Sequence, residues 1–320
     1  MKKIIIFLIM IGLTSTTQAL TLEKYGEFKF EKVHQNLYIM HGPVVEPNEK
    51  NEGFMNNPTI VEGKTGLIIV DPGGNYNVGK KILAEIEKVS KKPILATINT
   101  HKHGDHWFAN KALLEKYPNL KIYAHPQMIK EVKAGEADKW YDILERLTKN
   151  LKGTNDEFAY PNHAVKDGEV ILIDDEKFIV RHPDKTHTNT DILIHHVNSN
   201  TLFLGDNVMK GRLGAFDSSS SIFGNIALLS AIMKEKECDF YIPGHGISGK
   251  RDATISPYLT YLTGVAKWAQ KAYDDDLEAY EIKADAIKEL KIFESWDGFE
   301  YAFGRHMTKA YDEISLSDEE

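Results

Sequence analysis

The stretch "NTHKHGDHWFAN", residues 99–110, puts three histidines and an aspartate into six consecutive positions, His101 to His106. It follows the apolar run "PILATI" at once, so it stands at the exit of a predicted strand. Residues two apart on a strand point to the same side, which lets His101 and His103 reach one ion together. Asp105 and His106 then open a helix and point to a neighbouring position. One short segment can therefore serve two metals, and no packing requirement selects alternating histidines beside an Asp-His pair.

This motif is incomplete alone, because zinc takes four or five ligands and accepts imidazole nitrogen and carboxylate oxygen where no thiolate is offered. Three other stretches follow the same grammar, an apolar strand ending on a candidate ligand. "FIVRHPDKTHTNTD" delivers His187, "TLFLGDN" delivers Asp206, and "DFYIPGHG" delivers His245 between two glycines. "GLIIVDPGG" ends likewise on Asp71, a carboxylate placed to orient a ligand histidine.

Together these segments resemble the metallo-β-lactamase-fold hydrolase superfamily. The resemblance rests on H-x-H-x-D-H at 101–106, Asp71-Pro72-Gly73, the H-T-x-x-D segment at His187, Gly205-Asp206 and Gly244-His245-Gly246, in the family's order over about residues 28–250. It implies an α/β architecture, the αββα four-layer sandwich, with two zinc ions at one edge; iron or manganese are alternatives. His101, His103 and His187 would hold the first ion, and Asp105, His106 and His245 the second, with Asp206 bridging. β-Lactamases of the commonest class carry a cysteine where this chain has Asp206, so the bridging aspartate looks instead like the glyoxalase II and lactonase branches. Persulfide dioxygenases of this fold use a single iron and do not use the counterpart of His106 as a ligand; all seven positions are kept here. Flavodiiron enzymes carry Glu at the position of His103.

The rest of the chain fits such a sandwich. Short strands with turns open the first half, a helical pattern over Val78, Ile82, Leu83 and Ile86 follows, and the second half repeats the order of strands and helices. A helix is predicted over about 127–150, with Trp140, Ile143, Leu144 and Leu147 recurring at helical spacing. Two such halves suggest sheets sandwiched between helical layers. Residues 20–250 then form the catalytic domain, and 251–320 a helical extension packed on it, with Tyr258, Tyr261, Trp268 and Tyr273 as packing surface. The polar loop 43–58 carries an isolated Phe54-Met55 pair, read as the hydrophobic tip of a substrate flap. Phe54, Lys185 and Lys210 are candidate substrate contacts, as is Lys102. The other histidines (His34, His41, His125, His163, His182, His195, His196, His306) lack ligand context and are assigned to the surface or to hydrogen bonds.

Composition limits the partners. Met1-Lys2-Lys3, the apolar run Ile4–Leu13 and the small residues up to Ala19 read as a secretory signal over residues 1–19, too short to span a bilayer. Its removal takes away Lys2 and Lys3, leaving 37 basic against 47 acidic side chains and a net charge of −10. That balance disfavours nucleic acid and, after cleavage, membrane association, and leaves a small-molecule substrate for a periplasmic or secreted protein. The lone Cys238 cannot form an internal disulfide and reads as an inert thiol. The expected activity is hydrolysis of a thioester, lactone or ester by a metal-bound hydroxide, with Asp105 orienting the nucleophile and moving its proton. Lactam hydrolysis, and a metal-binding accessory role in a periplasmic sulfur or quinoprotein pathway, are the alternatives.

Overall fold

The computed structural model describes residues 28–152, 158–236 and 238–318; the expected signal segment lies outside them. Within those residues no helix is long and apolar enough to cross a membrane.

Two sheets carry the architecture. The first runs in chain order: β1 (Glu31–His34), β2 (Leu37–Ile39), β3 (Thr59–Glu62), β4 (Leu67–Val70), β5 (Ile94–Ile98), β6 (Lys121–Ala124) and β7 (His163–Ala164). Pairing is antiparallel up to β4 and parallel from β4 to β7. The change falls where the chain first inserts a crossover helix, α1 (Tyr76–Val89), because parallel neighbours cannot be joined by a tight turn. The second sheet has the order β12-β11-β10-β9-β8, built from β8 (Val170–Ile173), β9 (Glu176–Arg181), β10 (Leu193–His196), β11 (Thr201–Met209) and β12 (Phe240–His245).

Side-chain alternation along the strands creates the layers. On β3 and β4, Ile60 and Ile69 face outward to Val78, Ile82 and Ile86 of α1 and to Leu113 of the following helix. Val61, Ile68 and Val70 point the other way and meet Phe178, Val180, Ile194 and Phe203 of the second sheet in a central apolar layer. Leu202 and Leu204 of β11 alternate with Phe203 and turn to the far side, where helices cover them. The result is the αββα sandwich expected from the sequence.

Those covering helices are α6 (Ile222–Ile232), α7 (Arg251–Asp274) and α9 (Phe299–Asp318), with the short α8 (Lys283–Glu289) beside them. Between α1 and α6 lie α2 (Gly104–Trp107), α3 (Asn110–Lys116), α4 (Pro126–Glu131) and α5 (Ala137–Thr148). Tyr258, Tyr261, Phe303 and Met307 share one core with Leu202, Leu204 and Val208, so the C-terminal helices close the second sheet. Glu313 of α9 accepts the Ser221 hydroxyl at 2.7 Å and the Ile222 amide at 3.0 Å, tying α9 to the start of α6.

Two local expectations are corrected. The helix expected over about 127–150 is broken between α4 and α5 by one wide turn at 132–136, where Gly135 has φ 114°, a backbone state that glycine alone adopts without penalty. Phe54 is not an exposed flap tip. It is 1% exposed and stacks on Phe28 with ring centroids 4.7 Å apart, within the core under α1.

His306 of α9 is buried where that helix meets α7 and the segment after β11. Its Nε2–H donates to the Gly214 carbonyl at 2.7 Å, so Nδ1 accepts the Tyr261 hydroxyl at 2.8 Å and the ring is neutral. Burial holds its pKa at about 4, below the ordinary 6.5. The unfolded chain thus takes up a proton that the folded chain refuses. The contribution of this ring to stability should be level above pH 6.5, fall by roughly 3 kcal/mol as pH drops from about 6.5 to about 4, and flatten below that. Urea unfolding across this range should show the loss, and His306→Gln should reduce the slope.

Candidate metal centre

The candidate ligands gather at one edge of the sandwich, three of the four contributing segments by way of a strand end or the loop beyond it and the fourth from within a strand. β5 runs into Asn99 and Thr100, then His101 and His103, and the four-residue α2 presents Asp105 and His106. His187 lies between β9 and β10, Asp206 sits inside β11, and His245 closes β12. The structure brings all seven together: one ligand atom each from His101, His103, His187 and Asp206 falls within 4.8 Å of the others, and Asp105, His106 and His245 form a second such group. All seven are buried.

Asp206 lies between the groups. Its Oδ2 is 3.3 Å from His245 Nε2, 3.6 Å from His187 Nε2 and 3.8 Å from His101 Nε2, while Oδ1 is 3.1 Å from His106 Nε2. Asp105 Oδ2 lies 3.3 Å from His245 Nε2 and 3.4 Å from His106 Nε2. Such an approach leaves no room beside the carboxylate. A Cβ on Gly244 would stand 1.9 Å from Asp206 Oδ1, so only glycine fits there.

Neighbouring groups fix which ring nitrogens face inward. Asp71 accepts the Thr100 amide at 2.8 Å and its hydroxyl at 2.7 Å, and its Oδ2 is 2.9 Å from His106 Nδ1. His106 therefore donates Nδ1–H to Asp71 and turns Nε2 inward. The Met55 carbonyl does the same for His245, accepting Nδ1–H at 2.7 Å. Trp140 lies against the His103 ring, with centroids 4.5 Å apart.

The buried imidazoles and carboxylates shape one another's charge. Burial, with the neighbouring His106 ring, holds His101 well below its ordinary pKa, and burial with His187 does so for His103. Burial also opposes charge on His106, but Asp206, Asp105 and Asp71 outweigh it and hold that ring well above its ordinary value. Burial likewise works against ionised Asp105 and Asp206, yet the adjacent histidines keep both well below the usual carboxylate range. His101 Nε2 and His187 Nδ1 are buried without a hydrogen-bond partner. His103 Nδ1 and His187 Nε2 approach to 3.0 Å, and His106 Nε2 and His245 Nε2 to 3.3 Å. Converging acceptors with unmet partners fit divalent cations, and the nitrogen and oxygen donors lack any thiolate.

Beside the ligands lies a cavity of about 350 Å³ that reaches His103. Trp140, Ile143 and Leu147 of α5 form one wall; Tyr301, Ala302 and Arg305 of α9 belong to its lining as well, with Met55, Arg212 and Phe216. Of the proposed substrate contacts, none lines it. Phe54 is in the core, Lys185 is exposed, and Lys210 is half-buried beside Gly246. Lys102 is buried and committed, donating to Glu131 at 2.8 Å and Ser219 at 3.0 Å. Among the histidines set aside, His306 reaches the lining while keeping its structural bonds, and His196 is buried with Glu176 and Ser199. Arg212 gave no sequence signal, standing with Lys210 among the glycines of "MKGRLGAF".

A sandwich whose strand ends gather two His/Asp clusters at one edge is the architecture of a metallo-hydrolase, and the chain belongs to the metallo-beta-lactamase superfamily, whose model matches residues 51–293. It is 28% identical over 213 residues to a probable metallo-hydrolase of Methanocaldococcus jannaschii, covering 63% of this chain and 92% of that one. A linear primary-alkylsulfatase of a Pseudomonas species is 39% identical over 77 residues, 23% of this chain and 15% of the enzyme. A hydroxyacylglutathione hydrolase of Francisella tularensis subsp. novicida is 26% identical over 171 residues, 53% of this chain and 54% of that protein. Among solved structures, the inverting sec-alkylsulfatase of a Pseudomonas species superposes with a TM-score of 0.70 at 15% identity, over 89% of this chain and 50% of that one. The chain thus spans only about half the length of the last two and a small part of the primary-alkylsulfatase.

Asp71→Ala removes the acceptor of the His106 ring proton without touching an inward-facing atom. Metal affinity, read by competition with a chromophoric chelator, should fall by about 10–100-fold. Gly244→Ala should cost metal occupancy in elemental analysis while the far-ultraviolet circular dichroism stays unchanged.

Proposed function

We propose that the protein is an exported dinuclear zinc hydrolase that cleaves an ester-type bond (thioester, lactone or ester) of a small molecule. The carrying observation is the pair of ligand clusters with Asp206 between them, beside a largely apolar cavity that reaches His103. Hydroxyacylglutathione hydrolase among the relatives supports a thioester or related carbonyl, and the all-nitrogen-and-oxygen donor set supports zinc. Export rests on residues 1–19 and places the protein in the periplasm or outside the cell.

His101, His103 and His187 would hold one ion, Asp105, His106 and His245 the other, and Asp206 both. Divalent ions held there would lower the pKa of a water, toward about 7 in zinc sites, and polarise the carbonyl oxygen of the ester or thioester. The chain's own groups do the rest. Asp105 aligns the attacking water and accepts its proton as the new carbon–oxygen bond forms. The same carboxyl then returns that proton to the departing oxygen or sulfur, so that one water is added across the bond. Trp140, Ile143 and Leu147 exclude bulk solvent from the cavity side. Sulfate-ester cleavage is a second reading, favoured by the local likeness to the primary-alkylsulfatase.

Elemental analysis of the purified protein should give two zinc per chain, and a panel of thioesters, lactones, carboxylic esters and alkyl sulfates should show turnover abolished by chelation. Asp105→Ala should lower kcat by at least about 100-fold with little change in Tm. Bound metal without turnover on the whole panel would sink the hydrolase reading in favour of a metal-binding accessory role. Amino-terminal sequencing of protein from the periplasm or medium should begin at Leu20.

A further inference from the structure

We infer that Arg212 is the anion-recognising residue of this site, and that the substrate is an anionic amphiphile: an oxyanion, carboxylate or sulfate, carried on a medium-length apolar chain. The inference rests on the hydrolase reading for the word substrate, but its evidence is separate from the metal ligands.

Arg212 follows β11 and is 4% exposed, yet it lines the cavity. A guanidinium offers five N–H donors and cannot shed its charge, so burial demands acceptors. Here Nη1 reaches only the Met55 thioether at 3.5 Å, a weak acceptor, and Nε is buried with no partner at all. Among the described residues no carboxylate forms an ion pair with it. Two carboxylates occupy the same corner but are engaged elsewhere: Asp297 Oδ2 accepts the Glu46 amide at 2.9 Å, and the Glu46 side chain takes the Tyr301 hydroxyl. The backbone is held firmly, since Arg212 bridges Asp297 and Leu213 N–H donates to the Asp297 carbonyl at 2.8 Å. A fixed, desolvated cation facing a cavity offers its donors to an anion.

Position and surroundings define the rest of the ligand. Met55 joins the two sites, its sulfur against Arg212 and its carbonyl on His245 Nδ1, so the guanidinium stands next to the metal centre. The remaining lining is dominated by Trp140, Ile143, Leu147, Leu213 and Phe216, which suits an alkyl or acyl chain. Two lining carboxylates, Glu46 and Asp217, work against an anion, but three cations line the cavity too, Arg305 and Lys139 besides Arg212. Asp217 is further offset by Lys102, whose Nζ lies 3.9 Å away.

Calorimetry with octanoate, octyl sulfate and 1-octanol separates chain from charge. Metal-loaded protein should bind at least one of the two anions ten or more times as tightly as the alcohol, with the preference weakening at high salt. Whichever anion prevails identifies the headgroup. Arg212→Gln should abolish the preference and leave octanol binding unchanged, and Arg212→Lys should retain part of it. Equal binding of all three ligands by the wild-type protein overturns the inference, with no variant needed. So does a preference that survives in Arg212→Gln but vanishes on chelation, which would place the anion on the metals. Anion preference through Arg212 without turnover on any ester leaves this inference standing while the hydrolase reading fails; turnover of neutral esters without anion preference has the opposite meaning.

Discussion

The structure turns on a pair of buried carboxylates. Asp105 and Asp206 lie in a pocket from which water is largely removed, where an unneutralised charge is far more costly than at the surface. Neither forms an ion pair with a lysine or arginine among the described residues; their neighbours are the Nε2 atoms of His106 and His245, with His101 and His187 near Asp206. Protons on the imidazoles can offset the charge, but a divalent cation does so with more charge and better-directed bonds. The sandwich around the cluster serves to hold mutually repelling and poorly hydrated groups at short range.

Strand geometry supplies that restraint. Ladder hydrogen bonds fix β4, β5, β11 and β12, so the residues leaving their ends cannot drift apart. Asp71, at the end of β4, accepts both Thr100 donors after β5 and the ring of His106 on α2, joining three segments through one carboxylate. Asn57 donates to the carbonyls of Pro243 and Gly246 at 2.9 and 2.7 Å, tying the 43–58 loop to the end of β12. The loop read as a flap is a strut under His245.

What was legible in the sequence follows from how local each signal is. His101, His103, Asp105 and His106 declare themselves because their spacing has meaning only beside a strand end, and His187, Asp206 and His245 repeat the same strand-then-ligand pattern. The layers follow from alternation such as Ile60 and Val61, which face opposite sides. Phe54 was misread because its cover, Phe28, lies before β1, and a contact across 26 positions leaves no periodic trace. Lys185 and Lys210 are near the ligands in sequence, yet neither lines the cavity. Arg212 shows the converse: its neighbours along the chain are unremarkable, and its character comes from Met55, Tyr301 and Trp140 converging from remote segments. The Gly135 break was equally silent, since a single glycine within a helical pattern usually costs stability without ending the helix.

The cavity has two kinds of wall with different histories available to them. Its floor at His103 comes from the ligand-bearing core, whereas Tyr301, Ala302 and Arg305 come from α9, near the far end of the polypeptide. The ligand cluster and this one part of the cavity wall are therefore carried by separate stretches of the chain. Substitutions along α9 would reshape the cavity while leaving the histidine and aspartate cluster untouched.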